Sequence, residues 1–347
     1  MYIKKILWAT ALIGLLIFAY VAYYIYGAMF APNTAFEKEI AYITIPSDAN
    51  YLQVRQQLEP LLEDIDKFDA LAKQKKYVSY VKPGRYAISK GMSNNDIINS
   101  IRSKNIPLMV SFNNQNTLKG LAGRVAEQIE ADSLELLSAM SDETFLKENG
   151  FTRESAIGMY LPNSYEFFWN STAEDFRDRM LKEYKRFWTQ ERLKKAEAIG
   201  MTPNEVMTMA SIVYEESKQK SEQPRVAGVY VNRIRIGMPL QADPTIKYAA
   251  YQLPEYENTI IRRVLNKHME IDSPYNTYMY RGLPPGPVAM PELSAINAVL
   301  NYEKHDYLYF VVDARNVGFH KFAKSLSQHN ANAREYHRYL NEQGIRK

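Results

Sequence analysis

The sequence predicts an α+β protein in three parts: an N-terminal single membrane-spanning helix, a small α/β subdomain, and a larger α+β domain. Three observations predict it. Ile6 to Ala31 carry no charged residue, and a spanning helix needs roughly 20 apolar positions. Strand-like alternation and helix-like periodicity interleave over residues 40–105. The remaining stretch, 106–347, mixes long helical patterns with a late hairpin pattern and is long enough for one further domain.

The first element is an anchor. Its apolar run is longer than the 7–15 residues usual for a signal-peptide core, and no small-residue cleavage site stands between Gly27 and Pro32. A buried core helix is the alternative, but the run has no polar face and no evident partner. Lys4 and Lys5 precede it, whereas Glu37, Lys38 and Glu39 follow without basic excess. The positive-inside rule then gives a cytoplasmic tail (1–5), a span (6–31), a linker (32–39) and an extracytoplasmic remainder.

The small subdomain follows in order. Ala41 to Ile45 alternates as a strand, and Tyr51–Leu62 and Asp66–Lys76 read as helices. Tyr77–Tyr86 reads as a strand interrupted at Pro83-Gly84. Ser93 and Asp96 have capping-box spacing before Ile97, Ile98 and Ile101. Such a module either holds a polymer or partner, or spaces the next domain from the membrane.

In the larger domain, Thr117–Ala131 and Ala173–Ile199 suggest helices. Tyr307–Asp313 and Phe319–Ala323 read as a hairpin, and Ser327 opens a closing helix. Thr202 and Glu205 form a capping box around Pro203. On that helix, at 100° per residue, Val206, Met209, Ala210 and Val213 share an arc of about 100°, with Glu215 about 180° and Glu216 about 280° from Val206. Of the two adjacent carboxylates, only Glu216 therefore stands on the shoulder of the buried stripe. Partial burial raises a carboxyl's pKa, which suits a general acid; pairing with Arg225 or Arg233 is the plain structural alternative.

Composition removes many chemistries. With 24% charged and 46% hydrophobic residues, the chain is a folded protein, and a net charge of +4 is too balanced for a dedicated nucleic-acid binder. Zero cysteines exclude disulfides, thiolate metal sites and Cys nucleophiles, and the five histidines have no metal-type spacing. No phosphate-binding loop, zinc-protease or serine-hydrolase motif is present. What remains is polar, aromatic and turn-rich: Leu240–Thr245, Asp272–Tyr278 and Arg281–Pro287. Hydroxyls, amides and tyrosines on Pro/Gly loops suit a saccharide polymer, though such loops also serve as plain connectors.

These residues carry a resemblance. Met209-Ala210-Ser211-Ile212-Val213 with Glu216 three positions on, Val226–Met238, Leu240-Gln241, Asp243-Pro244-Thr245, Tyr275-Asn276-Thr277-Tyr278, Gly282–Gly286, Tyr307–Val311 and His329-Asn330 resemble, in order, the YceG-like endolytic murein transglycosylases. The likeness is dense over 155–340; upstream, the anchor and a LysM-like subdomain over 40–105 fit the family layout. It implies that Glu216 is the catalytic acid of a lytic transglycosylase. Such an enzyme cuts between N-acetylmuramic acid and N-acetylglucosamine in nascent glycan strands, leaves 1,6-anhydro ends, and terminates strand growth beside the synthases. Tyr214 stands where the family has a first acidic residue, so Glu216 is the sole matched carboxylate of that motif. Asn163 stands where the family more often has Asp, so it contributes a hydrogen bond and no proton.

Gln241, Tyr275, Asn276 and Tyr278 are expected to contact substrate. Asp243 is a helix cap, a group that positions Glu216, or a direct participant; the last would turn the chemistry toward hydrolysis, which needs a second carboxylate. His320 and His329 are structural by default. The implied partners are peptidoglycan strands, the lipid bilayer and peptidoglycan synthases, with no nucleic acid, and the implied reaction needs neither cofactor nor metal. A glycoside hydrolase on the same polymer and a non-catalytic scaffold that recruits synthases are the competing functions.

Overall fold

A computed structural model describes residues 2–256, 259–261 and 263–342. The fold is α+β, with helices predominating and three two-stranded sheets among the described residues. Two units divide it. The first runs from the N-terminus to Val110 and includes Gln128–Ala131 and Tyr165–Thr172; the second comprises Ser111–Glu127, Asp132–Ser164 and the chain from Ala173.

The first unit opens with α1, Tyr2–Phe30, which buries none of its residues. At 1.5 Å per residue it is about 43 Å long, more than the ~30 Å of a bilayer's hydrocarbon core, and so it is compatible with a membrane anchor. Its end is fixed by an amide: Asn94 Nδ2 donates to the Ala28 carbonyl (2.8 Å), one of the orphan acceptors of a helix terminus. Asn94 Oδ1 in turn accepts from Asn33, which also bridges the Asp64 backbone.

Beyond α1, strand β1 (Ile40–Ile45) pairs antiparallel with β2 (Gly84–Ser89), Ile43 opposite Tyr86. Helices α2 (Tyr51–Leu58), α3 (Ile65–Gln74) and α4 (Asn94–Ser103) cover one face and bury Ile45, Val54, Leu58, Phe68, Ile88 and Ile97 completely. Both α2 and α4 start in full capping boxes, Asn50/Gln53 and Ser93/Asp96.

The strand expected from Tyr77 is shorter than the pattern suggested. Lys76 takes a left-handed conformation (φ 57°) that turns the chain after α3, and Tyr77–Ser79 forms a 3₁₀ turn with Tyr77 buried. Pro83, with no N–H to give, precedes the ladder rather than joining it. Gly84 begins β2 at φ 141°, where a Cβ would stand 2.5 Å from the Asn105 side chain.

Strand β3 (Pro107–Phe112) pairs with β4 (Asn163–Phe168). The second unit then carries α5 (Leu118–Ala126), α6 (Ser133–Met140), α7 (Glu143–Glu148), α8 (Ala173–Phe187), α9 (Gln190–Ile199), α10 (Pro203–Glu216), α11 (Gln223–Arg235), α12 (Asp243–Tyr251), α13 (Asn266–Met269) and α14 (Leu293–Leu300). It closes with the hairpin β5 (Tyr309–Val312) and β6 (His320–Ala323), Val312 opposite His320, and with α15 (Leu326–Glu342). The helix expected over 173–199 is two, because Thr189 caps a new start through Arg192 N.

Helix α10 is the axis of this unit and packs against α9, α11, α12 and α14. Every residue from Val206 to Val213 is buried, so its apolar surface is wider than the single stripe read from the sequence. Its buried hydroxyls are satisfied: Ser211 Oγ donates to the Thr208 carbonyl (2.7 Å) and accepts from Val288 N (3.0 Å), which ties the 282–290 loop to the helix. On α11, Gly228 packs against the Glu303 carbonyl, where a Cβ would come within 2.4 Å.

Candidate active site

The capping box of α10 fixes where the helix begins. Thr202 Oγ1 accepts from Glu205 N, and Glu205 Oε2 accepts from Thr202 N (2.7 Å). Fourteen residues later the helix ends on Glu216, and Ser217 is already extended. The carboxyl is thus carried by a rigid, buried rod to the point where α10 leaves the core.

Tyr230, buried on α11, donates its hydroxyl to Glu216 Oε1 at 2.8 Å. Burial raises the Glu216 pKa to about 7. The Tyr230 bond opposes that rise because it favours the charged form; the negative Asp243 adds to it, and His320 and Arg233 pull weakly the other way. Desolvation wins. Near neutral pH the carboxyl is half protonated.

Glu216 opens into a cavity of about 430 Å³. One wall is polar: Gln241, Asp243 and Tyr278 on two loops strapped together. Gln241 N donates to the Thr277 carbonyl (3.0 Å), Ala242 N donates to Thr277 Oγ1 (3.0 Å), and the Thr245 and Thr277 hydroxyls meet at 2.8 Å. Gln241 itself is left-handed (φ 47°), so its side chain is turned by backbone geometry rather than by a helix. Tyr278 donates its hydroxyl to Asp243 Oδ1 at 2.7 Å. The opposite wall is the hairpin, with Tyr309, Phe310 and His320, closed by His329 of α15 stacked on Tyr309 at 5.3 Å. Arg233 joins the walls: Nε donates to the Leu308 carbonyl (2.7 Å), Nη1 donates to the Leu240 carbonyl, and the guanidinium lies 5.4 Å from the Tyr309 ring centre.

A buried network stands behind His320. Glu222, 5% exposed, accepts from His320 N (2.7 Å), the His320 ring at Nδ1 (2.8 Å) and Ser217 Oγ (3.0 Å). Burial pushes the Glu222 pKa up, but the His320 hydrogen bonds outweigh it and hold the group below its ordinary value.

Of the residues expected at the site, Glu216, Gln241, Asp243 and Tyr278 line one cavity. Tyr275 and Asn276 do not. Tyr275 is buried against Tyr248 (4.4 Å between rings). Asn276 is fully buried, donating to the Met269 (2.9 Å) and Ile271 (2.8 Å) carbonyls while its Oδ1 accepts from Tyr278 N (3.0 Å). It shapes the loop that presents Tyr278. Asn163 lies elsewhere, at the start of β4, lining a separate cavity of about 530 Å³ with Glu292; its Oδ1 accepts from Ser164 N. Asp243 is not the cap of α12, which is Ala242; it occupies the first helical position.

Neither arginine weighed as an ion-pair partner takes Glu216. Arg225 pairs with Glu303 (3.0 Å) and Arg233 is spent on carbonyls. His320 and His329 line the cavity. Tyr230 and Glu222 were not singled out from sequence. Tyr230 reads as one more core residue of an apolar helix, and only the fold brings Glu222 to the hairpin.

Comparison with known proteins places this geometry in a lineage. Residues 43–335 match the YceG-like family. The chain is 29% identical to the endolytic murein transglycosylase of Bacillus subtilis (strain 168), across 92% of this chain and 91% of that protein. It is also 29% identical to the endolytic murein transglycosylase of Streptococcus pneumoniae (strain D39), across 88% of this chain but only 60% of the longer pneumococcal protein. A crystal structure of a yceG-like protein from Listeria monocytogenes superposes with a TM-score of 0.56 at 26% identity, covering 85% of this chain and 99% of that one.

Proposed function

The chain belongs to the YceG-like family, and from that premise we propose that it is an endolytic lytic transglycosylase of peptidoglycan with Glu216 as its catalytic acid. The observation that carries the reading is a carboxyl held near pKa 7 at the wall of a polar, aromatic cavity, with one oxygen anchored by Tyr230. Because Oε1 accepts that bond, Oε2 is the oxygen free to carry the proton. A donor with a pKa near the working pH transfers a proton efficiently and is recharged readily.

In the reaction, Glu216 protonates the oxygen between N-acetylmuramic acid and N-acetylglucosamine. The C1–O bond breaks, and the muramic acid's own C6 hydroxyl gives its proton to the resulting Glu216 carboxylate and closes on C1 to give a 1,6-anhydro end. No water is added. The carboxylate left on Glu216 is stabilised by the Tyr230 hydroxyl. Gln241, Asp243 and Tyr278 offer hydrogen bonds to sugar hydroxyls, and the Tyr309 ring offers an apolar face. Asn163, Tyr275 and Asn276 act, on this reading, through the fold.

Asp243 shares the cavity, which favours a second reading, a glycoside hydrolase, since hydrolysis needs a second carboxylate. Mass spectrometry of digested glycan strands separates the two. Anhydro ends, lighter by one water, are expected; reducing ends would transfer the chain to the hydrolases. A non-catalytic scaffold predicts no release at all.

Location completes the proposal. Helix α1 is the anchor, with residues 1–5 cytoplasmic and everything after the 32–39 linker outside the membrane. The LysM-like subdomain (40–105) holds glycan or spaces the domain beyond it (106–347). Tethered there, the enzyme cuts new strands internally near their growing ends and terminates elongation beside the synthases.

A further inference from the structure

The end of α10 and the start of α12 each face two ways. Glu216 and Asp243 line the cavity of the candidate active site, whereas their chain neighbours Glu215 and Pro244 line a second cavity of about 330 Å³. The two cavities therefore lie on either side of one ridge. Along α12 the second cavity is lined by Pro244, Lys247, Tyr248 and Tyr251. Positions i, i+3, i+4 and i+7 form a single helix face, about 10 Å long at 1.5 Å per residue.

Lys247 is half-buried in that face, and its ammonium has no hydrogen bond or ion pair among the described residues. Glu215 is the other charged residue of the lining, and it is already paired with Lys218 (2.8 Å). Lys218 in turn sits 3.6 Å from the Tyr214 ring centre, which holds it at its own place. The cavity thus offers one uncompensated positive charge. Around it stand the Tyr248 and Tyr251 rings, the apolar Val288 and the Asn116 amide. The wall is built rather than incidental. Tyr251 accepts at its hydroxyl from Ile261 N (3.1 Å), Tyr248 is backed by the buried Tyr275 ring at 4.4 Å, and Val288 N is held by Ser211 Oγ (3.0 Å).

We propose that this cavity receives the peptide stem of the muramic acid being cut, with Lys247 pairing with a stem carboxylate. The inference rests on the transglycosylase reading above, which puts a muramic acid beside Glu216. That sugar bears its peptide on the lactyl group at O3, to the side of the strand, so a branched substrate needs a second recess next to the first. A peptide also matches the lining. Its carboxylate suits the ammonium, its backbone suits the amide, and its methyl groups suit the rings and Val288. Uncharged sugar hydroxyls would give Lys247 far less than a carboxylate, since hydrogen bonds between two ionised groups are the strong ones. A face about 10 Å long takes about three extended residues at roughly 3.4 Å each.

The test measures binding rather than turnover, on the full chain carrying Glu216→Gln in detergent micelles. The probes are fluorescently labelled, uncrosslinked glycan strands bearing their stems, and the same strands stripped by an amidase, which leaves the lactyl carboxylate in place. Adding Lys247→Met should raise the Kd for stem-bearing strands at least fivefold more than for stripped ones. Fivefold is about 1 kcal/mol, the scale of a partly exposed ion pair. A smaller difference overturns the proposal: equal losses would assign Lys247 to the strand or its lactyl group, and no loss would leave it without a ligand. Should the methionine variant not fold, salt carries the test. Raising ionic strength from about 0.05 to about 0.5 M should weaken stem-bearing strands at least threefold more than stripped ones, and a smaller difference overturns the proposal. Product analysis keeps the two readings apart. Reducing ends from the unmodified protein would sink the transglycosylase reading while the binding comparison stands, because a hydrolase also seats a muramic acid beside Glu216.

Discussion

Glu216 shows how one side chain can be made to hold a proton it would lose in water. The cost of burying its charge exceeds the help of the Tyr230 hydroxyl, and the balance sets a pKa of about 7 against an ordinary 4.5. That cost is also a stability statement. Between about pH 4.5 and 7 the folded chain keeps a proton that the unfolded chain has released, so stability falls with rising pH through that window, by at most about 3.4 kcal/mol. Glu216→Gln removes the titration while keeping an oxygen for Tyr230. Urea unfolding should therefore find the variant more stable than the unmodified protein at pH 8, with the gap closing toward pH 4.5. A gap that stays constant with pH would show that the carboxyl is not desolvated. The same variant should release at least a thousandfold less glycan, because an amide cannot act as an acid at these pH values.

At the scale of elements, the site is made by loops held rigid from below. Asn276 spends its whole side chain on four backbone groups of the 269–279 loop. Asn276→Ala leaves the Met269 and Ile271 carbonyls without their donor, and a destabilisation of roughly 2–3 kcal/mol is expected in urea unfolding. Activity should fall further than stability alone accounts for, since Tyr278 loses its support; unchanged activity would count against that loop as a substrate wall.

This scale also shows what the sequence could and could not tell. Capping boxes are local chemistry, and those at Ser93 and Thr202 were legible to the residue. The position of Glu216 followed from counting along a capped helix. Tyr275 and Asn276 misled because polar and aromatic residues in a Pro-rich loop look alike whether they face substrate or hold the loop together. Lys76 turns left-handed against its type, which no periodicity announces, and so the strand after it is shorter than the pattern predicts. The Glu222–His320 pair spans 98 positions and exists only once the hairpin folds back on α11.

For the whole molecule, an apolar helix that buries nothing, followed by a capped α/β module and a larger helical unit, is a layout compatible with a membrane anchor. The absence of native cysteine makes its orientation measurable. A single cysteine placed at Ser47 should react with a membrane-impermeant maleimide added outside intact cells, and one at Lys4 should react only after permeabilisation; the reverse pattern would invert the proposed orientation. Wherever the unit lies, the proposed chemistry depends on Glu216 being protonated when a glycan strand arrives. The direct measurement is an infrared pH titration of the intact protein, with the Glu216→Gln variant subtracted to isolate this one carboxyl. The carbonyl stretch of its protonated form should persist well above pH 5 and disappear with a midpoint near 7. A midpoint near the ordinary 4.5 would contradict the account.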